Sequence, residues 1–114
     1  MIAVIFEVHP AEGQVDAYLD MAAKMRPLAE GIPGFISVER FQSIMDPTKL
    51  LSLSFWENEE ALEAWRNLPQ HRGAQSAGRD VMFAGYRLRV AGVIRDYGMT
   101  ERAEAPADSR ALHG

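Results

Sequence analysis

The spacing of apolar and polar residues changes several times along this chain, and each change marks an element. Ile2-Ala3-Val4-Ile5-Phe6-Glu7-Val8 is almost continuously apolar and rich in β-branched residues, which predicts a strand buried on both faces or nearly so. His9-Pro10 breaks it, since proline has no N–H to give a ladder. From Glu12 the period becomes helical. Val15, Tyr18, Leu19, Ala22, Met25 and Ala29 recur at three- and four-residue spacing, while Asp16, Asp20, Lys24 and Glu30 fall on the wet face. Pro27 shortens or kinks the end of this helix, and Gly31-Ile32-Pro33-Gly34 closes it.

Two alternating stretches follow. Phe35 to about Ser43 puts Phe35, Ser37, Glu39 and Phe41 on one face, and Leu50 to Trp56 puts Leu51, Leu53 and Phe55 on one face. Met45-Asp46-Pro47-Thr48 between them is turn chemistry, so the pair forms a hairpin. Asn58 reads as a helix cap with Glu59 and Glu60 in the first turn, where acidic side chains suit the helix dipole. Ala61, Leu62 and Trp65 supply that helix's apolar stripe. Pro69 interrupts, and a second helical stretch runs from about Gln70 to Met82, weakened by Gly73 and Gly78. A long last strand, about Ala84 to Asp96, turns Tyr86, Leu88, Val90, Gly92 and Ile94 one way and Arg87, Arg89, Ala91, Val93 and Arg95 the other. Thr100 to Gly114 has almost no apolar period and is expected to be a mobile tail, which leaves residues 1–99 as the folded domain.

The order β-α-β-β-α-β is the split βαβ, or ferredoxin-like, plan: an α+β fold whose four-stranded antiparallel sheet has helices on one face only. The other face must then be accounted for. The first three strands are apolar on both sides (Val4 and Ile5, Phe35 and Ile36, Leu50 and Leu53), and a soluble monomer rarely leaves such a face in water. A homodimer is expected, its two sheets packed face to face or closed into an α/β barrel.

Composition narrows the chemistry. The 114 residues, 47% hydrophobic and 25% charged, amount to one ordinary globular domain. There is no cysteine, so disulfides, iron–sulfur clusters, thiolate zinc sites and thiol nucleophiles are excluded. Twelve basic against sixteen acidic residues argue against a nucleic-acid partner. The apolar run at Ile2–Phe6 falls far short of the ~20 residues of a membrane-spanning helix. With no charged leader before it, a cytoplasmic protein without a membrane partner is expected. No histidines and carboxylates stand at metal-site spacing, and no Gly-rich phosphate loop follows a strand, so neither metal, nicotinamide nor flavin is expected.

Most chemistry-bearing residues also have a plain structural reading. Trp65, spaced from Leu62 as on a helix, suits an ordinary core. His71, between Gln70 and Arg72, suits a solvated loop edge, and Arg87, Arg89 and Arg95 suit a wet strand face or ion pairs across a dimer. Phe83, Tyr86, Met82 and Phe41 suit either a pocket wall or core, and core is expected for Phe41. Glu57-Asn58-Glu59-Glu60 reads as a helix N-terminus rather than as paired catalytic carboxylates.

Several segments taken together resemble the antibiotic biosynthesis monooxygenase family of dimeric α/β barrels, over about residues 1–99. They are the opening strand with Gly13 before the first helix, Pro33-Gly34-Phe35-Ile36-Ser37 entering the second strand, and Ser54-Phe55-Trp56-Glu57-Asn58-Glu59-Glu60-Ala61-Leu62-Glu63-Ala64-Trp65 with His71 six residues on and Tyr86 beyond. The resemblance implies the same fold and a homodimer, but the fold hosts several activities. In the cofactor-free oxygenase branch, a phenol or anthrone is deprotonated and reacts directly with dioxygen. That chemistry needs a flat apolar pocket, donors for the oxyanion and a base. The resemblance assigns these roles to Trp65, to His71 and to an arginine on the last strand, Arg87 or Arg89; Phe6, Phe83 and Tyr86 are expected around the substrate. The branch has an asparagine four residues before the tryptophan, where this chain has Ala61.

The haem-degrading branch fits less well. Its first-strand asparagine corresponds to Phe6, and its iron-ligating histidine, ten residues past Trp65, corresponds to Gln75. Glutamine is a poor haem ligand beside imidazole, and His71, nearly one turn earlier, is expected to point elsewhere. The expected function is a small homodimeric oxygenase of an aromatic phenol or quinol, working without metal or flavin. The alternative is a non-catalytic dimer holding a small hydrophobic ligand in the same cleft.

Overall fold

The computed structural model describes all of residues 1–114. The strands are β1 (Ile2–Pro10), β2 (Phe35–Gln42), β3 (Leu50–Trp56) and β4 (Phe83–Gly92). The helices are α1 (Val15–Glu30), α2 (Glu59–Arg66), α3 (Pro69–Ala77) and α4 (Ala107–His113), with a π-helical turn over Gly78–Met82. The strands form one antiparallel sheet in the order β2-β3-β1-β4. This is the ferredoxin-like α+β fold expected from the element order.

Register sorts the side chains into two faces. On the helix side the rows are Arg40-Ser52-Phe6-Leu88 and Val38-Ser54-Val4-Val90; on the outer side they are Phe41-Leu51-Glu7-Arg87 and Glu39-Leu53-Ile5-Arg89. The parity expected for β3 and β4 holds. β2 differs at one residue: the register shifts between Phe35 and Ser37, so Ile36 is an extra residue. A bulge of this kind sends the residues on either side of it to opposite faces. Phe35 therefore pairs with Trp56 on the helix side, while Ser37, Glu39 and Phe41 face outward. Phe41, expected in the core, is 43% exposed on the outer face.

Local chemistry explains the helix ends. The Asn58 side chain caps α2 by accepting from the Ala61 N–H at 2.9 Å. Pro27 sits inside the last turn of α1, which continues to Glu30 because only one backbone hydrogen bond is forfeited there. Gly34, at φ +95°, turns the chain into β2, and a Cβ built on it would lie 2.7 Å from the Ala61 Cβ. Pro69 starts α3 at a position that needs no N–H donor. The stretch expected as one helix to Met82 thus splits into α3 and the π-helical turn, where Gly78 lets the Phe83 ring pack against bare backbone.

β4 stops at Gly92, four residues before the expected end, after which Val93 donates one bond to the Met1 carbonyl. Within the segment expected to be a mobile tail, the structure places α4 and a small local network. Arg102 donates to the carbonyls of Gly98 and Gly114 and to the Ser109 hydroxyl, and Ala105 is buried. No helix is long and apolar enough to cross a membrane.

The buried core is small. Val8 and Trp56 are its largest fully enclosed side chains, and five of the eight buried hydrophobic residues are alanines. On the outer face, Glu7 accepts from Lys49 at 2.7 Å and from Arg89 at 2.6 Å. These two bonds, Lys49 first, lower its pKa from 4.5 to about 2.

Two measurements check this account. Gly34→Ala combines a left-handed φ with a clash against Ala61, and is expected to lower the unfolding free energy by about 1–3 kcal/mol in urea; an unchanged midpoint would remove the constraint assigned to Gly34. Because the folded-state pKa of Glu7 is depressed, its contribution is present above pH 4.5 and is lost as pH falls toward 2. Glu7→Gln is therefore expected to flatten the stability-versus-pH curve in that window, and an identical acid limb in the two proteins would contradict the ion-pair assignment.

Candidate functional site

The space between the sheet and its helices is hollow rather than packed. A cavity of about 540 Å³ opens there, lined by 25 residues of which 17 are hydrophobic. That is the size and character of a pocket for a small organic molecule. Its floor is the helix-side surface of the sheet, and its walls come from α1 through Met21 and Met25, from α2 through Leu62 and Trp65, and from α3 through His71 and Gln75.

Two aromatic groups shape it. In the first, Phe35 meets Trp56 edge-on at 5.2 Å, Trp56 stacks on Trp65 at 6.1 Å, and Trp65 stacks on His71 at 4.3 Å with the planes 28° apart. In the second, Phe6 lies 5.7 Å from Phe83 and 5.6 Å from Tyr86, and Phe83 also packs edge-on against Tyr18. The Tyr86 hydroxyl accepts from Arg79 at 2.5 Å.

His71 is a half-buried imidazole whose Nδ1 is enclosed without a hydrogen-bond partner. Burial pushes its pKa below the ordinary 6.5, opposed by polar contact with the backbone of Arg66 and Trp65 and aided by the nearby Arg72 charge. The neutral ring is therefore the resting form at pH 7, and a neutral imidazole can accept a proton.

Of the residues singled out in the sequence, Trp65, His71, Phe6, Phe83 and Tyr86 all line this one cavity. Arg87 does not. Alternation puts it on the outer face, in register with Glu7, because its neighbours Tyr86 and Leu88 are the ones that face the helices. Arg89 is likewise outside and bound to Glu7. The arginines that do reach the cavity are Arg26, Arg40, Arg66 and Arg79.

His71 does not point away from position 75 as expected. His71 and Gln75 are four residues apart on α3 and share the cavity wall, as that spacing allows. Sequence reasoning missed Arg40 and Arg79. Arg40 had a usable signal, an arginine sharing its strand face with Val38; Arg79 lies in the π-helical turn, whose geometry no simple periodicity announces.

Comparison with known proteins agrees with this architecture. The profile of the family described as antibiotic biosynthesis monooxygenase matches residues 1–77. A relative from Pyricularia oryzae named "Jasmonate monooxygenase ABM" is 46% identical over 90 residues, which are 79% of this chain and 42% of that protein. This chain thus spans less than half the length of that relative. The Bacillus subtilis protein YqjZ, described as uncharacterized, is 33% identical over 82% of this chain and 79% of its own length. Among solved structures, Rv0793 from Mycobacterium tuberculosis superposes with a TM-score of 0.76 at 15% identity, covering 85% of this chain and 98% of that one, a likeness of fold. With profile, relatives and fold in agreement, the chain belongs to the antibiotic biosynthesis monooxygenase family.

Proposed function

We propose that this protein is a monooxygenase that oxidises a flat aromatic phenol or quinol with dioxygen, without a metal or flavin. The observation that carries the reading is the stacked Trp65–His71 pair on the cavity wall, with a neutral imidazole whose Nδ1 has no partner. The activity in the name of the Pyricularia oryzae relative supports oxygen insertion, and the aromatic walls support a flat substrate.

In this mechanism His71 takes the proton of the substrate hydroxyl, and the electron-rich ring carbon of the phenolate forms a bond to dioxygen. The peroxide anion takes the proton back from the His71 imidazolium, and the hydroperoxide so formed loses water with the hydrogen of the reacting carbon, leaving a carbonyl there. Substrate plus dioxygen thus gives quinone plus water, and both electron pairs come from the substrate. Trp65 contributes a flat face for the ring and an indole N–H for the developing oxyanion. Arg79, already bound to the Tyr86 hydroxyl, takes over the cationic role that the resemblance gave to Arg87.

The working unit in this reading is a homodimer joined through the outer sheet face. Ile5, Leu51, Leu53 and Phe55 lie at the centre of that face and are only half-buried in the single chain. A two-fold interface built from such a surface buries the apolar area that a single copy leaves in water.

Oxygen uptake against a panel of anthrones and dihydroxynaphthalenes tests the chemistry. Trp65→Phe and His71→Ala are each expected to reduce uptake at least tenfold while the protein stays folded; full activity in both variants would remove the site assignment. Because the deprotonated ring is the active form, the rate should rise with pH through an inflection below 6.5 and then level off. Light scattering tests the assembly: the wild type is expected at twice 12.7 kDa and Leu53→Glu at 12.7 kDa. A wild-type monomer at micromolar concentration would sink the dimer.

A further inference from the structure

Arg40 rises from the helix side of β2, directly opposite Ser52, and lines the cavity. It takes part in none of the chain's ion pairs, which engage His9, Arg26, Lys49 and Arg89. Its Nε is buried and has no hydrogen-bond partner. A buried guanidinium nitrogen left unpaired is costly, and its planar fork is shaped to receive a carboxylate.

The charge around it is one-sided. Arg26, Arg40, Arg66 and Arg79 reach the cavity and no aspartate or glutamate does, in a chain whose sixteen acidic residues outnumber its twelve basic ones. Arg26 is already engaged by Glu30, and Arg79 by the Tyr86 hydroxyl. The floor is equally divided. Toward β2 and β3 it offers Arg40, Ser52 and Ser54; the Ser54 oxygen accepts from the Trp56 indole at 3.0 Å, which leaves its own O–H to donate elsewhere. Toward β1 and β4 it offers Val4, Phe6, Leu88 and Val90, and the one polar side-chain atom there, the Tyr86 hydroxyl, is already bound by Arg79.

We propose that the cavity takes an amphipathic organic acid, its ring-sized apolar body lying over β1 and β4 and its single carboxylate bound by Arg40 beside Ser52. The inference rests on reading this cavity as the substrate site, and it narrows the proposed phenolic substrate to an aromatic acid. A phenol hydroxyl offers the guanidinium a single neutral oxygen; a carboxylate supplies two charged oxygens to the fork.

Isothermal titration of the purified protein at pH 7 with 2-naphthoate and with methyl 2-naphthoate tests this, because the two probes share a body and differ in charge. The wild type is expected to bind the acid at least tenfold more tightly than the ester. Arg40→Gln is expected to bring the two within about twofold of each other, chiefly by weakening the acid, and Arg40→Lys to keep a preference for the acid. Equal binding of acid and ester by the wild type, or a preference that survives Arg40→Gln, overturns the acid anchor and leaves the ligand-cavity reading standing. No binding of either probe by the wild type overturns both. If Arg40→Gln loses the ester as well, Arg40→Lys decides: a retained preference supports the anchor and an abolished one overturns it.

Discussion

The indole of Trp56 fixes how the helices sit on the sheet, because it is the largest side chain with almost no exposure and it contacts neighbours on both sides. Its ring meets Phe35 of β2 edge-on, stacks on Trp65 of α2, and donates its N–H to Ser54 on its own strand. Trp65 in turn stacks on His71 of α3. One column of rings thus joins two strands to two helices, and the position of the imidazole follows from it. Truncating a buried tryptophan typically costs about 3–5 kcal/mol. Here such a loss would also take the stacking partner from Trp65 and open the cluster of Ala29, Trp56 and Ala61 against which Leu62 packs.

The same sheet serves two purposes, and strand parity separates them. On the helix side, residues of even number in β1, β3 and β4 face the hollow; on the outer side, residues of odd number carry the apolar patch and the Glu7, Lys49 and Arg89 cluster. A carboxylate held by two cations on that outer face is tolerable in water. If a second copy covers the face, the pairing already in place limits the penalty for desolvating Glu7. The bulge at Ile36 lets β2 serve both faces at once. It delivers Phe35 to the Trp56 column and still leaves Glu39 and Phe41 outside, whereas a regular strand would place Phe35 with them.

Much of the fold was legible because it rests on local signals. β3 was bounded to the residue by its alternation, and the α2 cap by Asn58 followed by Glu59 and Glu60. Trp65 and His71 were placed together by the resemblance, and the structure sets them in one cavity with the aromatic residues Phe6, Phe83 and Tyr86. What was not legible has a common cause: it depends on events that periodicity cannot register. A single inserted residue in β2 moved Phe35, and a π-helical turn at Gly78–Met82 broke the second helical stretch and aimed Arg79 at Tyr86. The Arg87 assignment failed for another reason. The alternation that put it opposite Tyr86 and Leu88 was read correctly, but which of those two faces meets the helices is a tertiary fact.

The hollow itself explains why so small a core suffices. Alanines at 22 and 29 line it, while Trp56, Trp65 and His71 stack into one column along its wall and Phe6, Phe83 and Tyr86 gather into a second aromatic group. Protein interiors normally reach crystal-like packing, and an apolar wall facing empty volume forgoes the dispersion contacts that stabilise an ordinary core. A cavity of about 540 Å³ in a 114-residue domain leaves that much less of its apolar wall in contact with other side chains. Any occupant that binds only the folded chain offsets part of that loss by mass action.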